Sequence, residues 1–446
     1  MTMHRTRIMN PKSLLMATLL GVSIAGCEVT NPGPVQDEFL NDPTSHAALV
    51  RGAERRVMDA LLRMQWPAIL TVTREAFPSG DSNGPSPRQM AGVLPEGTGS
   101  WNNVQEARFI AEDALRRFAL PGITPDPVLK AQAHIWAGFA LRILAENYCQ
   151  AVIDGGPLVA TSVAFGQAEK HFSDALAVPQ ITAEQRNQAL VGRAQVRMGL
   201  KKWAEASADA GAVPIGYVLN VNPDRLSDAT RNQMGFYNDN SPYRVFSMKH
   251  TYFETYYPAT GDPRVPWALL PGFPNSGSRL TGYIGAGQAV PYLRLMEPGG
   301  VTHYNPATKM ALGRGTEMRL IQAEAILMTT PANHQAALAL INQARQHYTS
   351  LSTKAPLVPY ATADATETWT ALKTERFIDG FAQAKRLFDI MRWTRDQTPG
   401  AHPWPNWEPL SPIFSSEKPW STQGICFVVP NSERLANPNI SDDLVL

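Results

Sequence analysis

The sequence is poor in several things that would have pointed to common chemistries. Its 446 residues carry 40 basic and 39 acidic side chains, a formal net charge of +1. So balanced a chain has no long-range pull on a polyanion, and nucleic acid is excluded as an expected partner. Cysteine is scarce, with three in all, which is too few for a thiolate zinc cluster beside any other role. The nine histidines include no His-Glu-x-x-His pair. Gly80-Asp81-Ser82-Asn83-Gly84 has the Gly-x-Ser-x-Gly spacing but falls in a loop rich in Gly, Ser, Pro and Asn, without the strand and helix that a nucleophile elbow needs, and no Gly-x4-Gly-Lys-Ser/Thr loop occurs. Ser415-x-x-Lys418 matches one element of a serine acyltransfer motif, but Ser82-Asn83 lies far upstream and no Lys-Thr-Gly follows. Gly282, Gly285 and Gly287 cluster without the strand and helix that a dinucleotide loop needs, and no cofactor is expected. Carboxylate pairs for glycoside hydrolysis are defined in three dimensions, and no spacing points to one.

One long apolar run is present, at the start. His4, Arg5, Arg7 and Lys12 precede an apolar stretch from Leu14 to Ile24. That stretch falls short of the roughly 20 residues a bilayer core requires, so it reads as a targeting segment. It ends in Ile24-Ala25-Gly26-Cys27. Small residues before a cysteine resemble a lipobox, in which Cys27 would take up lipid after cleavage of residues 1–26. An ordinary secretory signal with an incidental cysteine is the alternative. No later run is long enough to span a membrane, so the expectation is a chain anchored to a bilayer and not threaded through it. Residues 27–45, broken by Pro32, Pro34 and Pro43, read as a tether. With Cys27 lipidated, Cys149 and Cys426 remain, either as a disulfide in an oxidising envelope or as two buried thiols.

The body, residues 46–446, is dominated by helical periodicity and by one recurring pattern. Small or apolar residues four and then three apart appear at Ala107/Ala111/Ala114, Ala168/Phe172/Ala175, Ala206/Ala210/Val213 and Ala337/Ile341/Ala344. These offsets lie on one helical stripe, and small side chains there let a partner helix come close. Arg186–Met198 and Thr316–Met328 precede the third and fourth copies and read as their partners, while Ser45–Met64 and Ala131–Tyr148 read as further helices. The prediction is a mainly α fold of irregular TPR-like hairpins, over about 46–215 and 316–393. Alanine-rich helices also occur in ordinary bundles.

Two segments break the pattern, 216–315 and 399–425. The first is rich in Tyr, Pro, Gly and Asn, with Tyr237, Tyr243, Tyr252, Tyr256, Tyr257, Trp267, Tyr283, Tyr292 and Tyr304, and the second holds Trp404, Trp407 and Trp420. Long irregular stretches in a compact body usually carry function, so these are expected to face a ligand. A neutral sugar offers apolar C–H faces and hydroxyls, which suit an aromatic platform beside amides or carboxylates. Trp101, with Asn102 and Asn103, has that composition, and Asp81 and Asn83 in the preceding loop add hydrogen-bonding groups. Against this, Trp101 could simply be a packing residue at a helix start.

The last third carries a resemblance. Glu375-Arg376, read as opening one helix that continues through Gln383-Ala384-Lys385-Arg386-Leu387-Phe388-Asp389-Ile390-Met391-Arg392-Trp393, is similar to the late helix of SusD/RagB proteins. There Gln383-Ala384 stand in place of the usual Glu-Gly. On a continuous helix Asp389 would bridge Arg386 and Arg392, three residues to either side, as a scaffold feature. Pro430, Glu433, Asn437, Pro438 and Asn439 match the family's closing segment, with Ile440 for a usual Leu. Thr316–Ala325, Asn342–Arg345 and Asp262-Pro263-Arg264 are further family-like pieces. The resemblance implies a non-catalytic outer-membrane lipoprotein, surface-exposed, that binds an oligosaccharide or other nutrient and delivers it to a TonB-dependent, SusC-like transporter, and it places a tryptophan near the position of Trp101 on the binding face. A TPR-type scaffold lipoprotein binding proteins or peptides is the alternative, and a lipid-anchored hydrolase the third reading.

Overall fold

The computed structural model describes residues 37–64, 69–78, 94, 100–223, 226, 230–239, 246–274, 291–405 and 426–440. Cys27, Asp81, Asn83, Trp407 and Trp420 lie outside them, as do residues 1–36.

Four helical hairpins follow one another. They are α1 (Pro43–Met64) with α2 (Trp101–Phe118), α3 (Pro127–Asn147) with α4 (Thr161–Ala177), α5 (Ala183–Gly199) with α6 (Trp203–Gly211), and α9 (Gly315–Thr329) with α10 (His334–Gln346). Each packs on the next, and α6 meets α9, so the array continues across the inserted residues between them. Local chemistry starts the helices. Asp126 accepts from Val128 N with Pro127 in the first turn of α3, and Thr182 and Gln185 form a reciprocal capping box at α5. The recurring stripe forms the second helix of every hairpin, and its residues Ala107, Ala111, Ala114, Ala168, Phe172, Ala175, Ala206, Ala210, Ala337, Ile341 and Ala344 are all 0% exposed.

The large member of the stripe, Phe172, explains two glycines. Its ring lies between α3 and α5, where a Cβ on Gly138 would come within 2.8 Å of it and one on Gly192 within 2.2 Å. Gly192→Ala is expected to lower stability by about 1–3 kcal/mol through overpacking. Gly166, exposed on α4 with open space around it, supplies the opposite case. There Gly166→Ala is expected to raise stability by about 0.5–1 kcal/mol, since only helix propensity changes. Thermal unfolding of the two variants should move in opposite directions.

Between α6 and α9 the chain builds short paired strands. After β1 (Phe77–Pro78), β2 (Gln150–Val152) and β3 (Leu158–Ala160), β4 (Val218–Val221) runs antiparallel to β8 (Met310–Arg314). A short α7 (Gln233–Asp239), β5 (Phe246–Ser247) and α8 (Phe253–Thr260) lead to the β6 (Trp267–Pro274) and β7 (Pro291–Leu295) pair. The stretch is therefore more regular than its composition suggests. Its aromatics also do something different from the expectation that they face a ligand: Tyr256 and Tyr304 are buried with Phe253, Leu295 and Phe377 in a second hydrophobic core. Phe253 meets Phe377 at 4.6 Å and Phe381 at 4.7 Å between ring centroids.

The helix expected from Glu375 to Trp393 is two helices, α11 (Ala365–Asp379) and α12 (Arg386–Arg395). Ala382 and Ala384 between them have φ of 55° and 56°, a left-handed geometry that no α-helix can contain. Ala384 occupies the position where the SusD/RagB pattern has glycine, so the turn is kept without its preferred residue. The break redirects the charges. Asp389 pairs with Arg376, at 2.8 and 2.9 Å, and with Arg392 at 2.8 Å, and not with Arg386. Arg392 and Trp393 Nε1 both donate to Glu324 on α9. Arg386 instead donates to Thr73 O and lies over the rings of Phe377 and Trp404.

Glu75 sits at the same junction, fully buried, accepting from Ala382 N at 3.0 Å. Thr73 Oγ1 lies 2.6 Å from both Ile69 O and a Glu75 carboxyl oxygen. Burial pushes the Glu75 carboxyl up to about 7, with the Thr73 hydrogen bond and the Arg386 charge opposing it. The folded form thus holds a proton that the unfolded chain has released above its ordinary value of 4.5. This contribution to stability is complete below that value and is lost as pH rises through about 7. Glu75→Gln should therefore gain stability relative to the parent chain as pH is raised from 5 to 8, measured by urea unfolding; a difference that does not change with pH would contradict the assignment.

The closing segment is a clasp. Its helix α13 (Asn431–Ala436) presents Glu433, which accepts from Trp101 Nε1 at 3.2 Å. Asn437 and Asn439 donate to the carbonyls of Gly156 and Gly155 at 3.0 and 2.8 Å. Cys149 and Cys426 are joined by a disulfide, with Cα atoms 5.1 Å apart, beside the Cys149 N to Phe427 O hydrogen bond.

Candidate functional site

Trp101 opens α2, as its place in the sequence suggested, but its ring is 4% exposed. One edge meets Tyr148 at 4.9 Å between centroids, and the indole N–H is taken by Glu433. A ring enclosed in this way has no face for a sugar, so Trp101 packs the clasp. Asn102 is exposed beside it, and Asn103 donates to Asp59 at 2.9 Å. Trp404 is partly buried, with the guanidinium of Arg386 over its ring at 4.6 Å.

An open cavity lies elsewhere, where the inserted strands meet the last hairpin. It has a volume of about 580 Å³ and is open on one side. Val218 and Asn220 on β4 form one wall, and Pro263 and Arg264 another; a turn at 297–299 and residues 307–309 form the rim, and Arg314 and Tyr348 complete the floor. Three elements hold this shape. The β4–β8 pair carries a register shift between Leu219 and Asn220, and Gly299, with φ of 97°, makes the rim turn. Glu297 ties the rim together, accepting from Asn305 at 3.0 Å, from Thr308 at 2.7 Å and from Thr302.

Beneath the floor is a dense buried ion network. Arg264 bonds Asp262 at 2.7 Å, Glu375 at 2.6 Å and Asp379 at 3.3 Å, and its guanidinium lies 4.3 Å from the Tyr348 ring. Arg345 reaches Glu375 at 3.1 Å, and Tyr348 donates to Asp379 at 3.1 Å. Burial works against a charge at Asp379, but Arg314 and Arg264 hold its carboxyl below the ordinary value. Burial pushes the Tyr348 phenol up to about 12, so it stays a neutral donor. Asp262-Pro263-Arg264, Glu375, Thr316 and Arg345, all parts of the family-like sequence pieces, meet here. Their contacts fix the floor.

The arrangement suits binding. Tyr348, Pro263, Pro298 and Val218 offer apolar surface, and Asn220, Thr308 and Lys309 offer hydrogen-bonding groups, the pairing that a sugar's faces and hydroxyls require. Tyr348 was missed in the sequence because it follows a plain helix and precedes no recognisable motif. A second opening of about 500 Å³ lies beside α3 and α4, lined by Lys130, His134, Asp174 and several prolines. His134 and His171 face one another there at 3.1 Å, and burial lowers both imidazoles to about 4. Among the described residues no three His, Cys, Asp or Glu side chains converge as a metal site would need, and no helix is long and apolar enough to cross a membrane.

No protein-family profile matches this chain, and no curated protein sequence is significantly similar to it. Solved structures are. A SusD-like carbohydrate-binding protein from Bacteroides vulgatus is 16% identical, with 90% of this chain and 98% of that chain covered and a TM-score of 0.62. A SusD homolog from Bacteroides thetaiotaomicron is 12% identical over 94% of this chain and 99% of that one, with a TM-score of 0.64. A laminarin-binding SusD-like protein is 13% identical over 90% and 99%, with a TM-score of 0.52. Hairpin array, inserted strands and C-terminal clasp together are one architecture: this chain has the SusD-like fold.

Proposed function

We propose that this chain is a SusD/RagB-type receptor: a lipoprotein anchored through Cys27 at the outer membrane and exposed at the surface, which binds an oligosaccharide and delivers it to a TonB-dependent, SusC-like transporter without altering it chemically. The observation that carries the binding part is the open cavity of about 580 Å³ between the inserted strands and the last hairpin, with Tyr348 in its floor and amide, hydroxyl and ammonium groups around it. Two of the similar solved proteins are described as binding carbohydrate, one of them laminarin, which supports a saccharide as the ligand class. The lipobox-like Ile24-Ala25-Gly26-Cys27 supports the anchor. The transporter partner rests on the SusD/RagB resemblance.

The test is calorimetry of the full chain in detergent against a panel of neutral and charged oligosaccharides. Binding of at least one saccharide, lost in Tyr348→Ala and kept in Trp101→Phe, supports the reading. Binding that survives Tyr348→Ala, in a variant shown to fold, places the site elsewhere. Release of new reducing ends during the titration would show an enzyme instead.

A further inference from the structure

The cavity's charges are sorted by depth, and this says something about its ligand that the fold does not. Three cationic side chains line it, Arg264, Lys309 and Arg314, against one carboxylate, Glu297. The carboxylates that balance Arg264, namely Asp262, Glu375 and Asp379, lie behind the wall and none of them lines the cavity. Glu297 is occupied with its own rim, accepting from Thr302, Asn305 and Thr308. Arg314 spends one N–H on a backbone carbonyl, Asp379 O at 2.6 Å, and shares the Asp379 charge with Arg264, while its Nε and Nη2 make no hydrogen bond among the described residues. Lys309 is exposed on the rim and makes neither a hydrogen bond nor an ion pair among the described residues.

The surface that a ligand meets is therefore richer in unspent positive donors than the whole network is in net charge. A guanidinium with Nε and Nη2 both free to donate matches an oxyanion in a fork, and an ammonium nearby adds a point charge. A neutral sugar would leave both underused, and a carboxylate or sulfate on the sugar would meet both.

We infer that the cavity selects an acidic saccharide, one carrying carboxylate or sulfate groups that reach Arg314 and Lys309 while a sugar face lies on Tyr348. This rests on the saccharide-receptor reading and makes it specific.

The experiment compares one backbone with and without its charge. The full chain in detergent is titrated by calorimetry with an oligogalacturonate, with its methyl ester and with a sulfated galactan oligomer, each at low and high sodium chloride. The expected result is binding of an anionic oligomer roughly tenfold or more tighter than the ester, the scale of one hydrogen bond to a charged group. High salt should weaken it because the contact lies at an exposed rim. Lys309→Gln should reduce the affinity for the anionic oligomer by about fivefold to tenfold and that for the ester by much less, and Lys309→Arg should restore it. Preference for the sulfated over the carboxylated oligomer would identify the anion as sulfate and keep the inference. Equal or tighter binding of the ester, or of neutral sugars, with no effect of Lys309→Gln, would overturn it while leaving the saccharide receptor standing. Failure of every saccharide, charged or neutral, to bind would overturn both.

Discussion

Asp389→Ala is expected to lower the unfolding free energy by about 3–5 kcal/mol, one of the largest effects of a single change in this chain. Asp389 is the only carboxylate on α12, is 4% exposed, and accepts from two guanidinia, those of Arg376 on α11 and Arg392 on its own helix. Removing it leaves two buried cations with one carboxylate in ion-pair range, Glu324, which already serves Arg392 and the Trp393 indole. The loss is not one ion pair's Coulomb energy but the uncompensated charge that stays behind in a low-dielectric interior. Urea unfolding followed by tryptophan fluorescence measures it, and Lys170→Ala offers a control. Lys170 and Asp174 form an ion pair on α4 in which the lysine is 74% exposed, so its loss should cost well under about 1 kcal/mol. Equal effects of the two variants would mean that the late helices are not held by this network.

Removing the disulfide should cost nearly as much. Cys149→Ser with Cys426→Ser is expected to lower stability by about 2–5 kcal/mol. The bridge closes a loop of 277 residues, so it restrains most of the unfolded body. It also fixes the clasp, where Cys149 N donates to Phe427 O at 2.9 Å and Phe427 N to Asn147 O at 2.8 Å. Thermal unfolding of the parent chain should shift downward when a reductant is added, and the double variant should show no such shift. A parent chain indifferent to reductant would put the weight of the clasp on Glu433, Asn437 and Asn439 instead.

The helical half of this fold can be read from the sequence because its determinants are local. A stripe of alanines at four- and three-residue steps can be satisfied only by a close-packed helix face, and each copy proved to be the second helix of a hairpin with its stripe fully buried. The break at 380–385 was not legible, because alanine at two left-handed positions gives no local signal where glycine would have done so. The wrong helix then gave Asp389 the wrong partner. Three residues from Arg386 along a continuous helix is not the same as facing it, and Arg386 went to Thr73 O. The aromatic-rich insertion misled in another way. Composition shows that tyrosines are present, not which side they face, and Tyr256 and Tyr304 turned inward to make a second core. Trp101 followed the same logic. The cavity could not have been read at all, since it joins residues from 218 to 348 whose meeting depends on β4 pairing with β8.

The central claim is that the cavity between the inserted strands and the last hairpin is where this chain takes up its ligand. Hydrogen–deuterium exchange, with and without the tightest-binding saccharide of the panel, tests it most directly. Slowed exchange at residues 218–221 and 297–309, with the hairpin helices unchanged, is the predicted result. Slowing confined to α3 and α4, or anywhere on the hairpin faces without those rim segments, would contradict it and point to a helical groove.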